Sequence, residues 1–241
     1  MNPASFLGSV RTSPCVKQVV GVSGSGKTVY LNRMLRAAIK SSDFQKLHRF
    51  IVVDVKHDGY HDLVEYPAQT AGGAIKQLTD ERLVVVHPSI EEAPFIIDEL
   101  IGWLFDTAQR LGEEFSATLV IEESSTYIGS HAGSIPDSIK RYATQGRSLG
   151  LSIILVNQRS LGNRWTDTQS DALVLFRLAI PDADMLRKRW GVNHDELNER
   201  LASKKFSFAV YDLEELDLKY YAPVEYSEGG GKPVRARIEA D

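Results

Sequence analysis

Cysteine occurs once in the 241 residues, at Cys15. One thiol builds neither an internal disulfide framework nor a thiolate metal cluster, and this scarcity suits a reducing compartment. Long hydrophobic runs are also missing: no stretch approaches the ~20 apolar residues that a membrane-spanning helix needs. The opening MNPASFLGSVRTSPC has neither a basic lead nor an extended apolar segment, so no signal peptide is read there. Positive charge is not in excess either, since 28 Lys and Arg stand against 32 Asp and Glu, a formal net charge of −4. That balance argues against a surface coated in nucleic-acid-binding cations, although it permits a local basic loop or a ring whose pore alone is basic. The length suits one α/β domain with a substantial core.

Against these absences stands GVSGSGKT, Gly21 to Thr28, which fits GxxxxGK[ST] at every fixed position. It follows the apolar run around Val16, Val19 and Val20 and opens a segment with Leu31, Met34, Leu35 and Ala38 at helical spacing. A glycine-rich turn between a buried strand and a helix N-terminus aims backbone N–H groups and the helix dipole at polyphosphate oxygens. Gly21, Ser23, Gly24, Ser25 and Gly26 are therefore expected to cradle the phosphates of ATP. Lys27 would reach the β- and γ-phosphates, and the Thr28 hydroxyl would ligate Mg²⁺.

RFIVVDV (49–55) and RLVVVHP (82–88) read as strands buried on both faces, as in a parallel sheet. The first delivers Asp54, Lys56 and Asp58 to the sheet edge where α/β proteins bind ligands. His57 and His61 lie four apart, but Gly59 stands between them and no helical pattern surrounds them, so a polar loop is the better reading than a metal pair. Residues 95–111 have the spacing of a packed amphipathic helix, with Glu91 and Glu92 ahead of it as dipole partners. ATLVIEE (117–123) is an apolar strand ending in two carboxylates, what a Mg²⁺-nucleotide site needs opposite a P-loop. Glu122 is expected to hold Mg²⁺, partly through water, and Glu123 to polarise the attacking water.

Residues 124–136 read as a loop, followed by a helix through Ile139, Tyr142 and Ala143 that carries Arg141 and Arg147 on it or at its end. The next apolar strand, 151–156, ends in Asn157 and Gln158, with Gln158 placed to touch a γ-phosphate. A loop with Arg159 and Arg164, a strand ALVLFRLAI, a short helix ended by Gly191 and an alternating hairpin at 206–211 and 218–221 complete the domain. The expected division is an irregular arm at 1–14, a P-loop domain at 15–226 and a glycine-rich flexible tail at 227–241.

GVSGSGKT, VVDVKHDGY, LVIEE and GRSLGLSIILVNQR together resemble the FtsK/HerA superfamily of DNA-pumping ATPases over about 16–180. The pairing of GRSLGLS with a strand ending in glutamine discriminates; a P-loop alone would not. The resemblance implies a RecA-like (ASCE) α/β fold, with a mostly parallel central sheet flanked by helices and, here, the C-terminal hairpin. It implies that the Gln158 strand lies between the P-loop and acid strands and carries the sensor. It implies that Arg147 reaches a neighbouring subunit's nucleotide as a finger, with Arg141, Arg159 and Arg164 as the other candidates. The implied assembly is a homo-oligomeric ring, a hexamer, acting on double-stranded DNA without sequence preference, with Arg159 and Arg164 as phosphate contacts on pore-facing loops at 124–134 and 158–165. Glu-Glu replaces the commoner Asp-Glu, which leaves open which carboxylate is the base. A bare motor of this size looks most like the genome-packaging ATPases of internal-membrane icosahedral viruses, which implies capsid or portal-vertex partners and a site at the virion vertex or in host cytoplasm. Rival readings are a conjugation or phage-extrusion motor, a GTPase-like binding switch and a small-molecule kinase. Such extrusion motors usually carry a membrane span, VNQR at 156–159 supplies no guanine-reading motif, and no arginine-rich lid is present.

Overall fold

The computed structural model describes residues 16–41, 47–129, 134–159 and 164–223. The arm expected at 1–14 and the tail expected at 227–241 lie outside them. β1 (Val16–Val20) leads through the P-loop into α1 (Lys27–Lys40), whose buried Leu31, Met34, Leu35 and Ala38 form the stripe the spacing predicts. β2 (Leu47–Val53), α2 (Ala71–Leu78), β3 (Leu83–Val86), α3 (Ala93–Leu111) and β4 (Phe115–Ile121) follow. Next come α4 (Asp137–Gln145), a 3₁₀ turn at Gly146–Leu149, β5 (Leu151–Asn157), α5 (Arg164–Gln169) and β6 (Ala172–Leu175). Two helices, α6 (Ile180–Trp190) and α7 (His194–Ala202), precede the hairpin β7 (Phe208–Asp212) and β8 (Asp217–Tyr221).

The strands form one eight-stranded sheet ordered β3-β2-β4-β5-β1-β6-β7-β8. The first six in that order run parallel, β7 runs antiparallel to them, and β8 pairs antiparallel to β7. β5 pairs with β4 on one side and β1 on the other, as the family resemblance implies. All three strands are buried along their whole length, which explains why both faces of β4 and β5 are mostly apolar, with Ser116, Thr118 and Ser152 as small buried exceptions.

Side-chain alternation divides the core. Ile51 and Val53 of β2 point to the face covered by α3, where Ile97, Leu100 and Leu104 pack. Phe50 and Val52 point to the other face, against Leu31, Met34 and Leu35 of α1. A third cluster joins Leu173 and Leu175 of β6 to Leu186 of α6 and Leu197 of α7. Gln18 is buried in central β1, where its amide donates to Ser170 Oγ at 2.7 Å, so this polar residue has a partner.

Several boundaries differ from the sequence reading. ALVLFRLAI is a strand only to Leu175, and Ile180 already opens α6, with Pro181 at its first turn. Arg164 begins α5 rather than lying in a loop. α2 was not anticipated because AGGAIKQL carries two helix-weakening glycines; Thr70 caps it, accepting from the Gly73 N–H. α7 lacks a long apolar stripe, yet Asn193 caps it and Leu197 anchors it to the core.

Candidate active site

Parallel pairing brings the ends of β1, β2, β4 and β5 to one edge of the sheet, where they surround an open cleft of ≈ 350 Å³. The phosphate loop forms its floor. Gly24 (φ 72°) and Gly26 (φ 107°) take left-handed backbone conformations, the second at the N-cap of α1 with no side chain capping it. L-residues with a Cβ adopt such angles at a cost, so glycine at these two positions is what lets the chain turn from strand to helix. The Val22 N–H donates to Arg177 O at 2.9 Å, tying the loop to the end of β6.

Lys27 is buried, and its ammonium donates to Gly21 O at 2.7 Å and Val22 O at 3.2 Å. Burial pushes its pKa down, while the carboxylates of Glu122 and Glu123 push it back up. An ammonium resting on loop carbonyls is already largely stripped of water, so phosphate oxygens can replace those carbonyls with little further desolvation.

The acid pair is split in role by its surroundings. Glu122 is buried; its Oε1 accepts from the Tyr60 hydroxyl at 2.5 Å and lies 3.4 Å from Thr28 Oγ1. Burial raises its pKa to about 7, opposed by the Tyr60 hydrogen bond and reinforced by Asp54. The Thr28 hydroxyl beside a buried, desolvated carboxylate is a set of hard oxygen donors, and this fits Mg²⁺. Glu123 lies nearer the cleft mouth in a left-handed conformation (φ 48°, ψ 41°), unusual for a residue with a side chain. Its Oε1 accepts from Gln158 Nε2 at 2.8 Å and pairs with the ammonium of Lys56. Asn157, beside Gln158, accepts from Ser124 Oγ and the Ser125 N–H, both at 2.8 Å, fixing the turn that follows the acid pair.

The loop after β2 completes the wall. Asp54 accepts from the N–H groups of Lys56 at 3.0 Å and Gly59 at 3.3 Å, which curls residues 54–59 over the acid strand. Gly59 lies so close to α1 that a Cβ there would meet Thr28 Cγ2 at 2.3 Å. His57 stacks on His87 with ring centroids 4.6 Å apart, and His61 meets the same ring edge-on at 5.7 Å. Among the described residues, no group of three or more His, Cys, Asp or Glu side chains is arranged to hold a metal ion.

The fold thus gathers the whole P-loop with Glu122, Glu123 and Gln158. It adds Tyr60, Asn157 and Phe206, to which the sequence reading gave no role at the site, and pairs Lys56, read only as facing the ligand edge, with Glu123. Lys56 was placed on the correct edge, and a tyrosine two residues after Asp58 gave a weak signal. Phe206 lies about 180 residues from the loop it touches, and nothing local in its sequence marks it. Arg147 is elsewhere: it stands in the 3₁₀ turn ahead of β5, at the opposite edge of the sheet, roughly 20 Å from the cleft at ~3.3 Å per strand residue. Its side chain is 65% exposed and pairs with Asp171 at 2.5 Å. Arg141, on α4, stacks 4.3 Å over the Phe105 ring. Arg159 is exposed just past β5, and the side chain of Arg164 lies outside the described residues, as do 130–133 and 160–163 of the expected pore loops. No helix among the described residues is long and apolar enough to cross a membrane.

The chain matches no known family model and no curated protein. Its fold does match solved structures. The genome packaging NTPase B204 of Sulfolobus turreted icosahedral virus 2, in complex with ATP-gammaS, has a TM-score of 0.66 and 18% identity, covering 93% of this chain and 100% of its own. B204, the DNA-packaging ATPase of Sulfolobus turreted icosahedral virus, has a TM-score of 0.66 and 16% identity over 89% and 100% of the two chains. The cytoplasmic domain of the type VII secretion ATPase EccC from Thermomonospora curvata has a TM-score of 0.56 and 19% identity, covering 86% of this chain but 25% of that one. At these identities the likeness is one of fold. The architecture is RecA-like, in line with the FtsK/HerA resemblance of the sequence motifs.

Proposed function

We propose that this protein is an ATP-hydrolysing motor that moves double-stranded DNA, and that its task is packaging a viral genome into a preformed capsid. The observation that carries this reading is the seating of Glu123, between Lys56 and Gln158, at the mouth of a complete P-loop cleft. A nucleotide-binding scaffold has no use for a carboxylate held there. The match over the full length of two packaging ATPases supports the biological setting, and the resemblance of the sequence motifs supports DNA as the substrate.

In the proposed reaction, the backbone N–H groups of residues 21–28 and the Lys27 ammonium hold the triphosphate and offset charge on its terminal oxygens. Thr28 and Glu122 would hold Mg²⁺, which supplies Lewis-acid neutralisation of the β- and γ-oxygens. Glu123 accepts the proton of a water aligned with the γ-phosphorus, and Gln158 fixes the position of that carboxylate. Tyr60 keeps Glu122 turned towards Thr28.

Arg147 cannot serve its own cleft from the far edge of the sheet, so as a finger it must act on a neighbour's nucleotide. This geometry supports a ring, for which six copies is the number the family resemblance implies. Arg159 and Arg164 are assigned to DNA phosphates, which any sequence presents. Capsid or vertex proteins are the further partners in this reading.

An ATPase assay with and without double-stranded DNA, run beside a mass measurement in the presence of nucleotide, tests the proposal. The expected result is oligomer-dependent turnover stimulated by DNA. DNA-independent turnover by a strict monomer would overturn it.

A further inference from the structure

Phe206 stands in the turn between α7 and β7 with φ 68°, a left-handed conformation that side-chain-bearing residues avoid. Its half-buried side chain packs against the phosphate loop at Gly26. A Cβ built on Gly26 would meet its Cδ1 at 2.5 Å, Cγ at 3.0 Å and Cβ at 3.2 Å. Phe206 also lines the cleft, together with Val29 and Lys205. An aromatic ring has no partner chemistry with phosphate, and burial in the hydrophobic core would have been the ordinary fate of phenylalanine.

Sheet order states which end of the cleft this ring occupies. Glu122, Glu123 and Gln158 stand at the tips of β4 and β5, on one flank of β1. Phe206 enters from the chain just before β7, on the other flank, beyond β6. A triphosphate whose terminal phosphate faces the acid pair therefore extends its sugar and base towards Phe206. The Lys205 ammonium lies 4.9 Å from the ring centroid, an exposed and therefore weak cation–π contact that a flat heterocycle can displace.

We infer that Phe206 is the platform on which the nucleobase of the bound nucleoside triphosphate stacks, with Val29 and the Lys205 stem completing the seat. This rests on the proposed ATP site, and it adds a base-binding residue for which the P-loop motif gives no signal. A strained residue beside a ligand cleft is where such a constraint is expected to be functional. Base–aromatic stacking depends on the π-face rather than on hydrogen-bond patterns, so the seat favours ATP over base-free polyphosphate without itself reading adenine from guanine.

The test is calorimetric binding, with Mg²⁺ present, of ATP, GTP and inorganic tripolyphosphate to the full-length wild type, Phe206→Ala and Phe206→Tyr. The expected result for Phe206→Ala is a roughly tenfold weaker affinity for ATP and GTP, unchanged affinity for tripolyphosphate, and recovery of nucleotide binding in Phe206→Tyr. A Phe206→Trp variant supplies a second readout that survives poor behaviour of the alanine variant. Its indole emission should be quenched by ATP and unaffected by tripolyphosphate. Equal weakening for all three ligands would overturn the inference, because Phe206 would then merely support Gly26; so would no weakening at all. These outcomes leave the ATPase reading intact, whereas a wild type that binds neither ATP nor tripolyphosphate overturns both.

Discussion

Gln158 donates from Nε2 to Glu123 Oε1 at 2.8 Å, joining the tip of β5 to the tip of β4 across 35 positions of sequence. Replacing Glu123 by Gln removes the proposed proton acceptor but keeps an oxygen in reach of Lys56 and Gln158. Turnover should fall by about 10²- to 10⁴-fold while ATP affinity stays near that of the wild type. Gln158→Ala leaves the ion pair with Lys56 but frees the carboxylate to swing. It should lower kcat by up to about 10²-fold with little change in nucleotide Kd. Steady-state kinetics with parallel calorimetry separate the two effects.

Two buried groups should oppose each other in the pH dependence of stability. Burial raises Glu122 to about 7, so the folded protein retains a proton there that the unfolded chain releases. The stability it adds is present below pH ~4.5 and is lost as pH rises towards 7, a change of about 3 kcal/mol. His48 is also buried, between Ser116 and Thr118, and burial lowers its pKa to about 3. Its contribution is present above pH ~6.5 and is lost as pH falls towards 3, by about 5 kcal/mol. Thermal melts without Mg²⁺ should therefore change less with pH between 4.5 and 6.5 than either variant alone. Glu122→Gln should expose the acid lability of His48, and His48→Gln the opposite slope.

A methyl group at residue 59 would occupy space already filled by Thr28. Gly59→Ala should displace the hydroxyl from Glu122 and cost about 1–3 kcal/mol through overpacking. Mg²⁺ titration of ATP binding should show weaker metal dependence in this variant, with affinity for metal-free ATP much less altered. Equal loss of both would place the damage in the loop as a whole.

Arg147 and Glu123 belong to different halves of the proposed shared site. Arg147→Ala and Glu123→Gln should each reduce ring turnover severely, the first by about 10³-fold or more if the finger matches those of other ATPases. Mixed assemblies contain interfaces in which both functional residues meet, and these should regain activity in proportion to their frequency. Mixing titrations read by phosphate release check this, and no recovery at any ratio contradicts action between subunits.

Much of this arrangement was legible because it is local in sequence. GVSGSGKT states its own chemistry, and the apolar stretches 119–121 of β4 and 153–156 of β5 marked strands that end at the ligand edge. What escaped depended on contacts between distant segments. Tyr60 is a core-like tyrosine until the curl of residues 54–59 sets it on Glu122. Phe206 gains meaning only through the antiparallel hairpin that returns the chain to the sheet beside β6. α2 and α7 were missed because caps and a few anchored side chains stabilise them without long amphipathic stripes.

β5 is hydrogen-bonded along both sides, to β4 and to β1, so it cannot slip lengthwise without breaking two ladders together. Its seven residues run from the turn carrying Arg147 to the tip followed by Gln158. The group assigned to a neighbour's nucleotide and the group that touches Glu123 thus flank one strand, the first four residues before it and the second directly after it. Between Arg147 and the strand lie the rest of the 3₁₀ turn and the left-handed Gly150 (φ 72°), so the part fixed by the two ladders is β5 itself. In the proposed ring, β5 is the covalent link between the residue assigned to a neighbour's nucleotide and the residue that touches the chain's own Glu123.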